Sequence, residues 1–154
     1  MATIYQAGMV VCIARATPPR SLSVDIRVGD RLEAYCTAHG KLWLAHLGPR
    51  ERARYLETVR LDALTDHTIT RRRDLEAELD VVRQRGYAYN LGEREDGITA
   101  LAVPVLTRGG KMVAGLSMFG PTSRIDRAEL DQGLERLRKA TEVAALLLHG
   151  RAVG

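Results

Sequence analysis

Two cysteines, four histidines and the absence of any long apolar run set the first limits on this chain of 154 residues. Cys12 and Cys36 lie far apart, and neither has a second cysteine at metal-ligand spacing. A zinc site therefore has no framework, and reduced thiols in a cytoplasmic setting are the expectation. His39, His46, His67 and His149 form no His-x-x-x-His pair, and no glutamate stands as a base between two of them. Gly109-Gly110-Lys111 lacks the GxxxxGK[ST] frame of a phosphate loop. No apolar stretch approaches the roughly 18–20 residues of a membrane span. The opening MATIYQAGMVV lacks the basic-then-apolar form of a signal peptide. Charge of one sign does not accumulate either. The net charge is +4, from 23 basic and 19 acidic residues, with the signs interleaved as in Glu93-Arg94-Glu95-Asp96. The one basic run, Arg71-Arg72-Arg73, is followed at once by Asp74, which is too little for a nucleic-acid stripe. These residue types predict no metal and no cofactor.

What the sequence has is a central pair of apolar strands. With 45% hydrophobic residues, a chain of this length builds one domain with a real core. Ile98 to Leu106 and Met112 to Phe119 are each long enough for a strand, and Arg108-Gly109-Gly110-Lys111 supplies the turn between them. Small residues along this pair (Ala100, Ala102, Ala114, Gly115, Ser117) leave room over a sheet face for a helix or a ligand. Pro104 has no N–H for a ladder, so its strand needs a bulge or an open side there.

The remaining elements follow from pattern and punctuation. Thr3 to Tyr5 and Met9 to Ala14 read as a first hairpin. Ser21 to Val28 alternates Leu22, Val24, Ile26 and Val28 with polar residues, the period of a third strand. A helical pattern holds from Leu42, with Thr37 placed as N-cap. Gly40, near that helix start, marks a close backbone approach to a neighbouring element or to a ligand. Pro49 to Val59 is a second helix with proline in its first turn. Leu61 to Thr70 is a polar connector. Asp74 to Arg85 is a third helix, with Leu75, Leu79 and Val82 on one stripe. Asp126 and Glu129 form a capping box for a last helix running to His149. The order β-β-β-α-α-α-β-β-β-α predicts an α+β domain, an antiparallel sheet flanked by helices.

Two stretches carry a family resemblance. VGDRLEAYCTAHGKLWLAHL, Val28 to Leu47, resembles the G-x-x-x-P-x-x-x-T-A-x-G-K-A-x-L-A segment of IclR-type bacterial transcription regulators. RGYAYNLGEREDGITALAVPV, followed by GGKMVAGLSMFGPTSRI, resembles their second signature, an acidic loop between apolar strands and then a hairpin. The resemblance covers nearly the whole chain in the right order. It implies a GAF/profilin-like curved antiparallel sheet flanked by helices, residues 1–154 forming one effector-binding domain. In that family such a domain follows a winged helix-turn-helix, for which this chain has no segment.

The resemblance places a small-molecule pocket between the sheet and the Thr-Ala-x-Gly-Lys helix. Carried over, its positions are Ala38, His39, Asn90, Ala100, Ser117 and Phe119. Glu33 stands where the family commonly has proline, Asn90 where it has aspartate, Ala100 where it has cysteine, and Phe119 where it has a small polar residue. The N–H groups of Ala38, His39 and Gly40 at a helix start favour an anion. His39 adds a hydrogen bond or a positive charge, and Tyr35 with Phe119 offers stacking to an aromatic ring. The expected partner is a small organic acid, carboxylate or aromatic, with assembly into a homodimer or homotetramer and no DNA binding by this chain alone. The alternative is an enzyme or accessory domain on a GAF-like scaffold, using a Cys36–His39 couple.

Overall fold

The computed structural model describes residues 1–17 and 24–150 of the chain. In chain order the elements are β1 (Ala2–Gln6), β2 (Met9–Ala14), β3 (Arg31–Glu33), α1 (Ala38–His46), α2 (Pro49–Thr58), α3 (Arg72–Arg85), β4 (Ala88–Leu91), β5 (Ile98–Leu106), β6 (Met112–Pro121) and α4 (Arg127–Gly150). The strands form one sheet in the order β3-β2-β1-β6-β5-β4, with every neighbouring pair antiparallel. The architecture is α+β, as its patterning predicts.

Local chemistry explains most boundaries. The β1–β2 turn places both Ala7 (φ 49) and Gly8 (φ 80) in the left-handed region, which a two-residue hairpin turn demands. α4 opens on a reciprocal capping box. The Asp126 N–H donates to Glu129 Oε2 and the Glu129 N–H to Asp126 Oδ1, both at 2.9 Å. Pro104 sits opposite Gly115 on β6, while β4 begins only at Ala88 opposite Ala102, so the other side of β5 is open where the proline lacks its N–H.

The third strand lies elsewhere than its alternation predicts. Ser21 to Ser23 fall outside the described residues, and residues 24–28 take no strand. Asp30 Oδ2 accepts the Arg27 N–H, and the Gly29 N–H donates to the Cys12 carbonyl at 2.8 Å, so this segment turns beside β2. Strand pairing begins only at Arg31. Helix α1 starts at Ala38, directly after the Thr37 cap, as the capping position predicts, so the helix precedes the apolar pattern from Leu42 by one turn.

Strand register divides the core in two. Ala100 faces Phe119, Ala102 faces Ser117 and Pro104 faces Gly115, so these residues share the face covered by α1. Leu101, paired with Met118, and Val103, paired with Leu116, point to the face covered by α4. Ala114, opposite Val105, belongs to that second face. On the α1 side Leu42, Leu44, Leu75, Leu79 and Val82 are fully buried. The Leu75, Leu79, Val82 stripe of α3 thus closes the main core against α1.

Candidate functional site

Thr37 organises the site. Its Oγ1 accepts the Gly40 N–H at 3.1 Å and donates to the Glu33 carbonyl at 2.7 Å, which ties the cap to the strand before it. A Cβ on Gly40 would lie 2.0 Å from the Ala34 carbonyl oxygen. Of the two roles the sequence leaves open, this glycine serves close backbone approach to a neighbouring element.

Between the N-terminus of α1 and the small-residue face of β4–β6 lies a narrow cavity of about 50 Å³, open at its mouth. Ala38, His39, Asn90, Ala100, Ser117 and Phe119 all line it. Tyr35, Cys36 and Gly40 do not. Tyr35 is buried in the main core, its hydroxyl donating to the Asp62 carbonyl at 2.9 Å. Cys36 is fully buried there too. The Gly40 N–H is already taken by Thr37, so it has no free donor for a ligand.

Two polar side chains of the cavity are left wanting. Ser117 Oγ and His39 Nε2 are buried with no hydrogen-bond partner, a condition that costs roughly 1–3 kcal/mol per group and calls for an explanation. The histidine's protonation follows from its neighbours. Thr3 Oγ1 accepts from Trp43 Nε1 at 3.4 Å and lies 2.8 Å from His39 Nδ1. With the threonine proton directed to Nδ1, Nε2 carries the hydrogen of a neutral ring. Burial, with the nearby amino terminus, pulls this imidazole down to about 3. His39 thus supplies a hydrogen bond rather than a positive charge. Gly115 makes room for the arrangement, since a Cβ there would stand 2.7 Å from His39 Nδ1.

A pH dependence follows. Unfolded, His39 takes a proton near pH 6.5; folded, only near 3. The unfolded chain binds more protons between those values, so stability falls as the pH drops, by up to about 1.4 kcal/mol per pH unit. The wild-type advantage over His39→Gln in urea denaturation should shrink by roughly 2 kcal/mol between pH 6.5 and 4.5. A constant difference would mean that the folded ring takes its proton as readily as the unfolded one.

The cavity's charged rim comes from the β4–β5 loop, which carries Arg94 and Glu95. This loop is pinned from below. Lys41, 2% exposed, donates to Glu93 Oε1 at 2.6 Å and to Glu78 Oε1 at 3.1 Å. Asn90 Oδ1 accepts the Glu93 N–H at 2.9 Å, and the Thr68 hydroxyl donates to the Glu93 carbonyl at 2.6 Å. Burial pushes the Glu93 carboxyl up, against the attraction of Lys41. Arg94 escapes a sequence reading that treats Glu93 to Asp96 as one solvated acidic loop; its signal is the lone cation in that run. Ile26 and Leu32 also line the cavity. The alternation of Val24 and Ile26 marks an inward face, although it builds no strand.

Residues 2–145 match the family model described as the bacterial transcriptional regulator IclR C-terminal domain. The chain belongs to the IclR family. It is 34% identical over 132 residues to the Pca regulon regulatory protein of Pseudomonas putida, covering 86% of this chain and 45% of that protein. It spans about half the length of the curated relatives it matches. Among solved structures it resembles a double mutant of the PobR inducer-binding domain from Acinetobacter in complex with 3-hydroxybenzoic acid. That likeness has a TM-score of 0.86 and 32% identity, over 94% of this chain and 85% of that one. It also resembles an IclR homologue from Microbacterium hydrocarbonoxydans complexed with 4-hydroxybenzoate, with a TM-score of 0.81 and 26% identity, over 91% of this chain and 56% of that one.

The IclR relatives are regulators rather than enzymes, and this IclR domain's geometry offers the alternative chemistry no support. Burial pushes the Cys36 thiol up to about 12, far from a thiolate at neutral pH. The hydrogen-bond partner of His39 Nδ1 is Thr3, not Cys36. Among the described residues, no helix is long and apolar enough to cross a membrane.

Proposed function

We propose that the cavity under α1 receives a small organic acid, aromatic acids included, and that its occupancy controls DNA binding by a separate helix-turn-helix in the cytoplasm. One observation carries the reading: two buried, unpartnered polar atoms, His39 Nε2 and Ser117 Oγ, belong to side chains lining a mainly apolar cavity. Such a site binds an apolar body and fixes it through a few polar contacts. A ligand oxygen that accepts from His39 Nε2 and meets Ser117 Oγ would satisfy both groups. Phe119 flanks the same space with the Arg15 guanidinium 5.6 Å from its ring centre, so its free face suits an aromatic ring. The hydroxybenzoates named with two structural relatives fit this chemistry.

Ala100→Leu tests the reading by filling the cavity. In a thermal-shift assay with 4-hydroxybenzoate and 3-hydroxybenzoate, saturation at a hundred times the dissociation constant should stabilise the wild type by about 2.7 kcal/mol, several degrees in melting temperature. The variant should keep its fold and lose the shift. If Ala100→Leu unfolds the domain instead, the space is close-packed core and the reading fails.

We also propose that the domain self-associates. The C-terminal half of α4 leaves Val143, Leu146 and Leu147 at 57%, 65% and 68% exposure, more apolar surface than a solvated helix face carries. Sedimentation should show a dimer or larger species at tens of micromolar. A monomer throughout that range removes the proposal.

A further inference from the structure

We infer that Arg94 is the residue that reads the effector's carboxylate, and that Glu33 holds its place until the acid arrives. The inference rests on the cavity reading above and adds the group that selects charge. Arg94 comes from the β4–β5 loop and lines the mouth of the cavity. Its Nε donates to Glu33 Oε2 at 2.6 Å, with the two side chains 31% and 37% exposed. Among the described residues Glu33 is its one ion-pair partner, so Nη1 and Nη2 retain their donors.

Two features make this pair exchangeable. First, it is half-exposed and joined through one nitrogen, and exposed pairs of this kind contribute about 0–1 kcal/mol. A ligand carboxylate engaging the guanidinium through two parallel hydrogen bonds forms a stronger contact. Secondly, the loop behind Arg94 is fixed by the buried Lys41–Glu93 pair, so the guanidinium's base stays in place while its partner changes. Glu33 closes β3 just before Thr37, and Arg94 sits in the loop after β4. The pair therefore ties the end of β3 to the β4–β5 loop beside the mouth, and an entering acid would take over the arginine and release Glu33 to solvent. Glu95, the other charged residue on the rim, is exposed, where water and salt screen its repulsion of an anion. The interior side chains do not select charge: neutral His39 and Ser117 bond a hydroxyl or a carbonyl as readily as a carboxylate, and the Met1 amino group lining the same space donates to the Ser117 carbonyl at 3.0 Å.

The test compares 4-hydroxybenzoate with its neutral analogue 4-hydroxybenzamide by calorimetric titration of wild type, Arg94→Gln and Glu33→Gln. Wild type should prefer the acid. Arg94→Gln should weaken the acid by about 10- to 100-fold, the loss of charge-assisted hydrogen bonds, and should leave the amide within about twofold. Glu33→Gln, which frees the guanidinium, should tighten the acid by about two- to fivefold and leave the amide unchanged. If Arg94→Gln keeps the acid preference, the carboxylate is read elsewhere in the cavity, at the start of α1 or at the amino terminus, and the inference is wrong, while the cavity reading stands. Equal binding of acid and amide by wild type overturns it in the same way. If neither probe binds even Glu33→Gln, the inference and the reading beneath it both fall.

Discussion

Gly40→Ala is expected to be the most damaging single-atom change in this domain, costing at least about 3 kcal/mol or preventing folding outright. The added Cβ would stand 2.0 Å from the Ala34 oxygen and 2.2 Å from the Ala34 Cα. Both are backbone atoms of the turn between β3 and α1, which Thr37 clamps at both ends. No rotamer change relieves such a contact; the helix start must move away from the turn. Because Ala38 and His39 are on that same first turn, the cavity wall would move with it. Gly115→Ala is the informative contrast. Its Cβ would meet the His39 ring at 2.7 Å and Thr3 Oγ1 at 3.2 Å, which are side-chain atoms that can rotate. A loss of about 1–2 kcal/mol is expected there, with disturbance confined to the histidine. Urea denaturation measures both. A Gly40→Ala domain within 1 kcal/mol of wild type would show that α1 and residue 34 can separate freely.

Lys41→Met should cost about 3–5 kcal/mol, because it removes one partner of a buried charge pair. The methionine fills similar volume, so lost packing is a small part of the effect. The Glu93 carboxyl, 11% exposed, would be left with no cation, and its Oε2 has no partner even with the lysine present. Glu78 is more exposed, at 25%, and can turn to water. Adding Glu93→Gln to Lys41→Met should recover more than half of the loss, since the uncompensated charge is then gone. Denaturation of the two single variants and the double variant closes the cycle. Losses that simply add would mean that the two side chains do not interact, contrary to a 2.6 Å contact.

The sequence revealed most of this fold where local chemistry and burial agree. The capping boundary at Thr37, the proline start of α2, the Leu75, Leu79, Val82 stripe and the long β5–β6 hairpin are all written in short spacings. The third strand was not legible. Val24 and Ile26 alternate as a strand does, yet their inward face meets the cavity, and no neighbouring strand supplies a ladder. The three-residue strand Arg31–Glu33 carries too few residues to show a period.

The site was legible in part. Small residues on two adjacent strands predict space above a sheet, but only register shows that Ala100, Ala102, Gly115 and Ser117 share one face while Ala114 takes the other. The type of residue 39 suggests a charge; only its burial beside Thr3 shows a neutral ring. Tyr35 and Cys36 precede the helix by the same short span as the cavity residues follow it. Their side chains nevertheless join the core, because the turn before Thr37 faces away from the cavity. Arg94 carries only a faint signal in the sequence, as the lone cation of its run; its role becomes visible where the loop bearing it lines the mouth.

The central claim is that this cavity binds the effector, and an amide-resolved NMR titration tests it most directly. Backbone resonances of the 15N-labelled domain would be followed as 3-hydroxybenzoate and 4-hydroxybenzoate are added in turn. The account predicts saturable shifts centred on Ala38, His39, Asn90, Ala100 and Ser117, fading across the sheet toward the α4 face. Saturable shifts centred on α4, or none from either acid up to millimolar concentration, would contradict it.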